Sequence, residues 1–170
     1  MLQNGFKMSS VKIEYRPLLP CESKDYRMIR LESLKVFPES FGANYEESLK
    51  IEKFTLEDNI ENPVQEKLIF GAFDRSELIG ICVFVKEGIS TGSIYQMYVK
   101  KNYQGKNIGF GLIQSVIHEA ENRFHDIDIV LEVTAHNLAA YHLYKKLGFE
   151  EINIDSEKNN GNKVMKYRRN

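Results

Sequence analysis

Gln104-Gly105-Lys106-Asn107-Ile108-Gly109 is the stretch whose residue types and order best suit chemistry. A glycine turn that feeds a helix leaves the first backbone N–H groups of that helix unpaired, aligned with the positive end of its dipole. Such a turn binds phosphate groups. Two familiar phosphate loops do not fit it. A Walker loop needs Ser or Thr after its Lys to hold magnesium, and here Lys106 is followed by Asn107. A dinucleotide fingerprint begun at Gly109 would place Gln114 at its third small position, with Phe110 crowding the approach. Any phosphate bound here therefore belongs to another kind of ligand. The plain alternative is an ordinary strand-to-helix connection.

A second segment, Asn137-Leu138-Ala139-Ala140-Tyr141-His142-Leu143-Tyr144-Lys145-Lys146-Leu147-Gly148-Phe149, reads first as an amphipathic helix. Asn137 suits an N-cap, Ala140, Leu143, Tyr144 and Leu147 form one stripe, and Gly148 supplies the stop. Taken together, the two segments resemble the GNAT superfamily of N-acetyltransferases. That family carries a Gln/Arg-x-x-Gly-x-Gly turn after its fourth strand and, later, an Asn-x-x-Ala-x-x-x-Tyr-x-x-x-Gly-Phe helix. Both occur here in order, separated by a strand at Ile127 to Thr134. Asn107 stands where the family usually has its first glycine. Asn tolerates left-handed backbone angles, so the turn is expected to survive.

The resemblance implies an acetyl-CoA-dependent N-acetyltransferase acting on a primary amine by direct transfer in a ternary complex. No cysteine lies in the central motifs to suggest an acetyl-enzyme. The backbone of Gln104, Gly105, Lys106, Asn107, Ile108 and Gly109 would hold the pyrophosphate. The end of the fourth strand, Met97, Tyr98 and Val99, would pair with the pantetheine arm and present a backbone N–H to the thioester oxygen. Asn137 sits where the family's Asn bonds the pantetheine, and Tyr144 where its Tyr lies beside the sulfur. A thiol titrates near ~8.5 and a tyrosine near ~10, which makes Tyr144 a hydrogen-bond donor to the leaving thiolate before it is an acid.

An alkyl amine is protonated at neutral pH, so its proton needs an acceptor. Glu132, on the strand after the glycine turn, stands at the offset from Asn137 and Tyr144 where ribosomal-protein alanine acetyltransferases place their base. A solvated strand glutamate is the competing reading, and a water chain relayed by Tyr95 or Tyr98 a third. The acceptor pocket is implied to lie in the loop from Pro38 to Glu47. There Phe41 and Tyr45 can wall a cavity and Glu46 can attract a cation, unless Phe41 is core and Glu46 a helix first turn. The rival function is a catalytically silent acyl-CoA-binding module, which would need the cradle but neither Glu132 nor Tyr144.

These residues require a frame. Alternation and turn residues predict strands at Val11–Tyr15, Lys67–Asp74, Leu78–Lys86, Ile94–Val99, Ile127–Thr134, Glu150–Ile154 and Lys163–Tyr167. Helical spacing covers Ser23–Val36, where Tyr26, Ile29, Arg30 and Leu34 share a face, then a second helix from Tyr45 through Lys53, the helix after the glycine turn, and the one after Asn137. The order is β-α-α-β-β-β-α-β-α-β-β, an α/β domain at residues 11–170. The resemblance makes it the GNAT fold, its sheet splayed between strands 4 and 5. Residues 1–10 read as a disordered leader, with Met1 or Met8 as the start.

Composition narrows the partners. With 42% hydrophobic residues, 28% charged and a net charge of −1, nothing drives the 170-residue chain toward nucleic acid or an anionic membrane. No apolar run has the length of a membrane span. Cys21 and Cys82 have no metal or redox spacing, and the four histidines form no ligand pair, so no metal is expected and a reducing cytoplasm is the simplest context. The acceptor is a small-molecule amine or a protein N-terminus. Since members of the family often dimerise, a homodimer stays open.

Overall fold

The computed structural model describes residues 12–154 and 159–169; the expected leader and Val11 lie outside the described residues. Strand β1 (Ile13–Pro17) leads through a short 3-10 turn, Pro20–Glu22, into helix α1 (Ser23–Val36). Arg16 clamps that turn through Glu22, with bonds of 2.9 and 2.7 Å. The α1 spacing buries Tyr26, Ile29, Arg30, Ser33 and Leu34 along one face, and Phe37-Pro38 ends it.

The single helix expected from Tyr45 onward is two short ones, α2 (Tyr45–Leu49) and α3 (Thr55–Glu61). Asn44 caps the first, accepting from Glu47 N at 3.1 Å. The buried Glu57 accepts from Phe54 N at 2.7 Å at the start of the second. Each segment thus carries its own start signal, which one continuous apolar stripe could not reveal.

Strands β2 (Lys67–Asp74), β3 (Glu77–Lys86) and β4 (Thr91–Val99) follow as an antiparallel meander. Helix α4 (Ile108–Arg123), β5 (Asp128–Val133), α5 (Leu138–Leu147), β6 (Phe149–Ile152) and β7 (Lys163–Tyr167) complete the chain. The sheet order is β1-β2-β3-β4-β5-β7-β6, and only the central β4–β5 pair is parallel. A turn at Asn159–Asn162, closed by Asn162 N donating to Asn159 O at 2.8 Å with Gly161 at φ +76°, leads into β7, which pairs antiparallel with β6.

The sheet has two covered faces. On one, α4 and α5 bury Leu112, Ile113, Val116 and Tyr144 against Ala72, Ile79, Cys82 and Ile129. On the other, α1 and α3 bury Tyr26, Ile29 and Ile60 against Ile69, Phe73, Ile81 and Tyr98. Central strands covered on both faces read as continuous apolar runs, as Leu78 to Val85 does.

Candidate functional site

The site is made where β4 and β5 stop pairing. Thr91–Ile94 pair with Asp128–Leu131, and the ladder ends at the Ile94–Leu131 rung although β4 runs on to Val99. A bulge in β4 causes the parting. Tyr95 faces Val83 and Tyr98 faces Ile81, so Gln96 and Met97 both stand opposite Cys82. Gln96 takes φ +52°, a left-handed angle unusual for a side-chain-bearing residue, and its Oε1 accepts from the Tyr26 hydroxyl at 2.6 Å. That bond to α1 holds the bulge in place.

Beyond the bulge, Lys100 N donates to Ile79 O, so Lys100 and Tyr98 turn their backbone groups toward β3. By alternation, Met97 and Val99 turn theirs into the open wedge. The Gln104 side chain fills one place there, donating to Val99 O at 2.9 Å. Gln104 therefore ties the turn to β4 through its side chain.

The turn has the geometry its composition predicts. Gly105 has φ +76° with open space on its Cα side, and Asn107 has φ +61°, the left-handed angle that Asn supplies in place of glycine. The first α4 bond within the chain is Gly111 N to Asn107 O at 3.1 Å. The N–H groups of Gly105 through Phe110 thus have no partner among the described residues, and Asn107 gives no side-chain cap. A Cβ built on Gly109 would lie 3.4 Å from Leu143 Cδ2 and 3.6 Å from Met97 Cε, so turn, wedge and α5 converge at this glycine. A ring of unpaired donors at a helix N-terminus is chemistry for phosphate oxygens.

On α5, Asn137 caps the helix by accepting from Ala140 N at 3.2 Å, which leaves its amide NH2 free to donate. Tyr144 is buried beside Phe149, ring centroids 5.9 Å apart, and its hydroxyl has no partner among the described residues. Burial, with Cys82 a smaller contributor, pushes the Tyr144 phenol well above the ordinary tyrosine value. It keeps its proton, and is a donor in waiting.

Glu132 is exposed on β5, one residue past the last β4–β5 rung, on the face shared with Tyr95. Tyr95 donates to Glu87, as does Ser93 at 2.8 Å. Burial chiefly raises the Tyr95 phenol, with the Glu87 bond next and the charges of Glu87 and Glu132 contributing less. Phe41, Tyr45 and Glu46 line one open groove of about 480 Å³ with Leu34, Lys35 and Pro38. Phe41 also meets the Tyr98 ring edge-on at 6.4 Å.

Sequence reasoning missed the bulge and the polar groups on its α1 side. Gln96 has no glycine to advertise a positive φ. Arg30 looked like an ordinary member of an apolar stripe, Glu32 was not singled out, and Tyr98 was expected to act through its backbone or as a water relay rather than as a buried hydroxyl beside α1. All three carry a buried polar atom with no partner among the described residues. Burial pushes Tyr98 up to about 12, with the nearby Glu32 charge adding to it.

A sequence model of the acetyltransferase (GNAT) family matches residues 31–149. The chain belongs to that family. Among curated GNAT relatives, mycothiol acetyltransferase of Mycolicibacterium vanbaalenii is 34% identical over 92 residues, 51% of this chain and 31% of that protein. An N-alpha-acetyltransferase of Sulfurisphaera tokodaii is 30% identical over 66 residues, 39% of this chain and 40% of that one. The chain thus spans well under half the length of these relatives. The fold matches the PaiA N-acetyltransferase of Thermoplasma acidophilum in complex with coenzyme A, with a TM-score of 0.75, 23% identity and coverage of 93% and 99% of the two chains. It also matches NAA60 of Arabidopsis thaliana in complex with acetyl-CoA, with a TM-score of 0.67, 20% identity and coverage of 92% and 98%. Among the described residues no group of side chains could hold a metal ion, and no helix is long and apolar enough to cross a membrane.

Proposed function

We propose that this GNAT protein is an acetyl-CoA-dependent N-acetyltransferase that moves an acetyl group to a primary amine by direct transfer. The observation that carries this is the continuity of unpaired donors from Gly105–Phe110 to the wedge-facing backbone of Met97 and Val99. A ligand with a pyrophosphate at one end and an amide-bearing arm at the other fits that line, and acetyl-CoA is such a ligand. When bound, it supplies the acetyl group as an activated thioester. The backbone of Gly105 through Gly109 would hold its pyrophosphate. The Asn137 amide NH2 and the Met97 and Val99 edge would hold its arm.

The chain's own residues then supply the remaining chemistry. The Met97 N–H, fixed by the bulge, faces the wedge as a donor where negative charge develops on an acyl oxygen. Tyr144 keeps its proton and donates to a departing thiolate. Glu132, beside Tyr95 at the mouth of the wedge, accepts the amine proton directly or through water. Cys82 is fully buried with its thiol pushed far up, so it is no nucleophile for a covalent route. The acceptor enters from the α1 side, where the relatives' names admit either a small molecule or a protein N-terminus.

Acetyl-CoA titration by calorimetry, followed by thiol release with an amine panel, tests the reading. Intersecting initial-velocity lines are expected for a ternary complex, and parallel lines would replace direct transfer with a covalent intermediate. Tight binding with no amine-dependent thiol release would make the protein a silent acyl-CoA-binding module instead.

A further inference from the structure

Arg30 poses a problem of charge. The residue is 9% exposed, Nη1 is buried without a partner, and among the described residues the guanidinium makes neither a hydrogen bond nor an ion pair. The Phe41 ring lies 5.1 Å from it, and burial lowers its pKa, with the Tyr26 oxygen opposing only in part. Buried charges are ordinarily paired, because desolvation is costly without a counter-charge. A guanidinium left this way is waiting for an anion.

Its place in the fold says which anion. Arg30 follows Tyr26 by one turn on the buried face of α1, about 6 Å along the axis. Tyr26 is the residue that grips the β4 bulge, where the wedge opens. Phe41, beneath Arg30, also packs on Tyr98, whose hydroxyl lies close to the Glu32 carboxylate; each of the two carries a buried oxygen that meets no hydrogen-bond partner of good geometry among the described residues. The Arg30 guanidinium suits a negative group, and the Glu32 carboxylate beside Tyr98 an ammonium.

We propose that the acceptor is a small amine bearing a carboxylate, of the amino-acid class, and that Arg30 binds that carboxylate. This deepens the N-acetyltransferase reading and rests on it. A polyamine, cationic along its length, would meet an unpaired positive charge at this position. The fork of the guanidinium matches a carboxylate's two oxygens and a carboxamide's far less well.

The test compares amino acids with their carboxamides as acceptors, reading thiol release. In the wild type, kcat/KM for accepted amino acids is expected to exceed that for their amides by about 10- to 100-fold. Arg30→Met should level the two, mainly through KM, and Arg30→Lys should restore part of the gap. With no counter-charge to strand, the Tm of Arg30→Met should be unchanged or higher. Equal use of acid and amide by the wild type overturns the proposal, as does a preference that survives Arg30→Met. A second measurement stands apart from turnover: the Arg30 Nε–H resonance, titrated with N-acetylglycine and N-acetylglycinamide in the presence of coenzyme A. A shift with the acid alone supports the assignment, and no difference between the probes overturns it. Acetyl-CoA binding without transfer to any amine would sink the enzyme reading, and this titration would still decide for or against Arg30.

Discussion

The two faces of the central sheet solve recognition in opposite ways. On the α4–α5 face the side chains form an apolar core, and among the described residues most unpaired polar groups belong to the backbone, from Gly105 to Phe110 and along Met97 and Val99, with the Tyr144 hydroxyl and the Asn137 amide beside them. On the α1 face the backbone is satisfied in the sheet, and the unpaired groups are side-chain atoms of Arg30, Glu32 and Tyr98. A backbone cradle reads phosphate and amide, which many ligands share. A side-chain pocket reads one ligand's charges and shape, so the proposed selectivity for the acceptor would belong to α1 and the loop after it.

The sharpest way to break this division is at Tyr144, the one α5 side chain expected to act on reacting atoms. Tyr144→Phe keeps the contact with Phe149 and deletes the hydroxyl. A bond to a developing thiolate is worth roughly 1.5–3 kcal/mol, so kcat should fall on the order of 10- to 150-fold with acetyl-CoA affinity nearly unchanged. Steady-state kinetics with a thermal melt checks it. Wild-type kcat in a folded variant, with product release shown not to limit, removes the role.

The next effect is confined to the cradle. A first carbon on Gly109 fits, at 3.4 Å from Leu143 Cδ2, but the further methyls of Gly109→Val would intrude where a pyrophosphate must approach. Calorimetry is expected to show acetyl-CoA affinity at least about tenfold weaker, without change in acid-over-amide preference. A change in that preference would join the two faces that the structure keeps apart.

A smaller, pH-dependent effect belongs to Glu132. If it accepts the amine proton, Glu132→Gln should slow turnover most at low pH, by several-fold, and leave acetyl-CoA binding intact. A pH–rate profile superimposable on that of the wild type would assign the proton to water near Tyr95.

The smallest effect concerns stability. Tyr26, Tyr98 and Tyr144 all hold their protons more tightly when folded than an exposed tyrosine does. Their contribution is fully present below the unfolded value near ~10 and is lost as pH rises through the folded values. Urea midpoints should therefore fall above about pH 10, and Tyr98→Phe should flatten that fall between about 10 and about 12. An unchanged slope would mean that Tyr98 titrates as though exposed.

The same division explains what could be read in the chain. The cradle was legible because a turn and a helix start use glycine, Asn107 and local spacing, all contiguous. The β-α-β order followed from that motif and the alternation around it, whereas the splay was expected only from the family resemblance. The division of the segment after Ala43 into α2 and α3 was hidden, since the second start has no side-chain cap of the usual kind and depends on Glu57 reaching back to Phe54 N. Arg30 was hidden more deeply. At helical spacing a long cationic side chain with an apolar stem looks like the edge of an amphipathic face, and only tertiary packing reveals that its charge is buried. Phe41 was singled out as either pocket wall or core, yet its partners Arg30 and Tyr98 come from elements far apart in sequence.

Gln96 shifts the reading frame of β4. Before it, Ile94 faces α4 and Tyr95 faces α1; after it, Met97 and Val99 face α4 while Tyr98 faces α1. An uninterrupted strand with one residue fewer would keep this parity, so deleting Gln96 would leave every side chain on its present face and remove the kink, along with the bond that pairs the buried Tyr26 hydroxyl. The two strands would then be free to close on each other, so the cleft can be counted as one amino acid beyond what the alternation of the sheet requires.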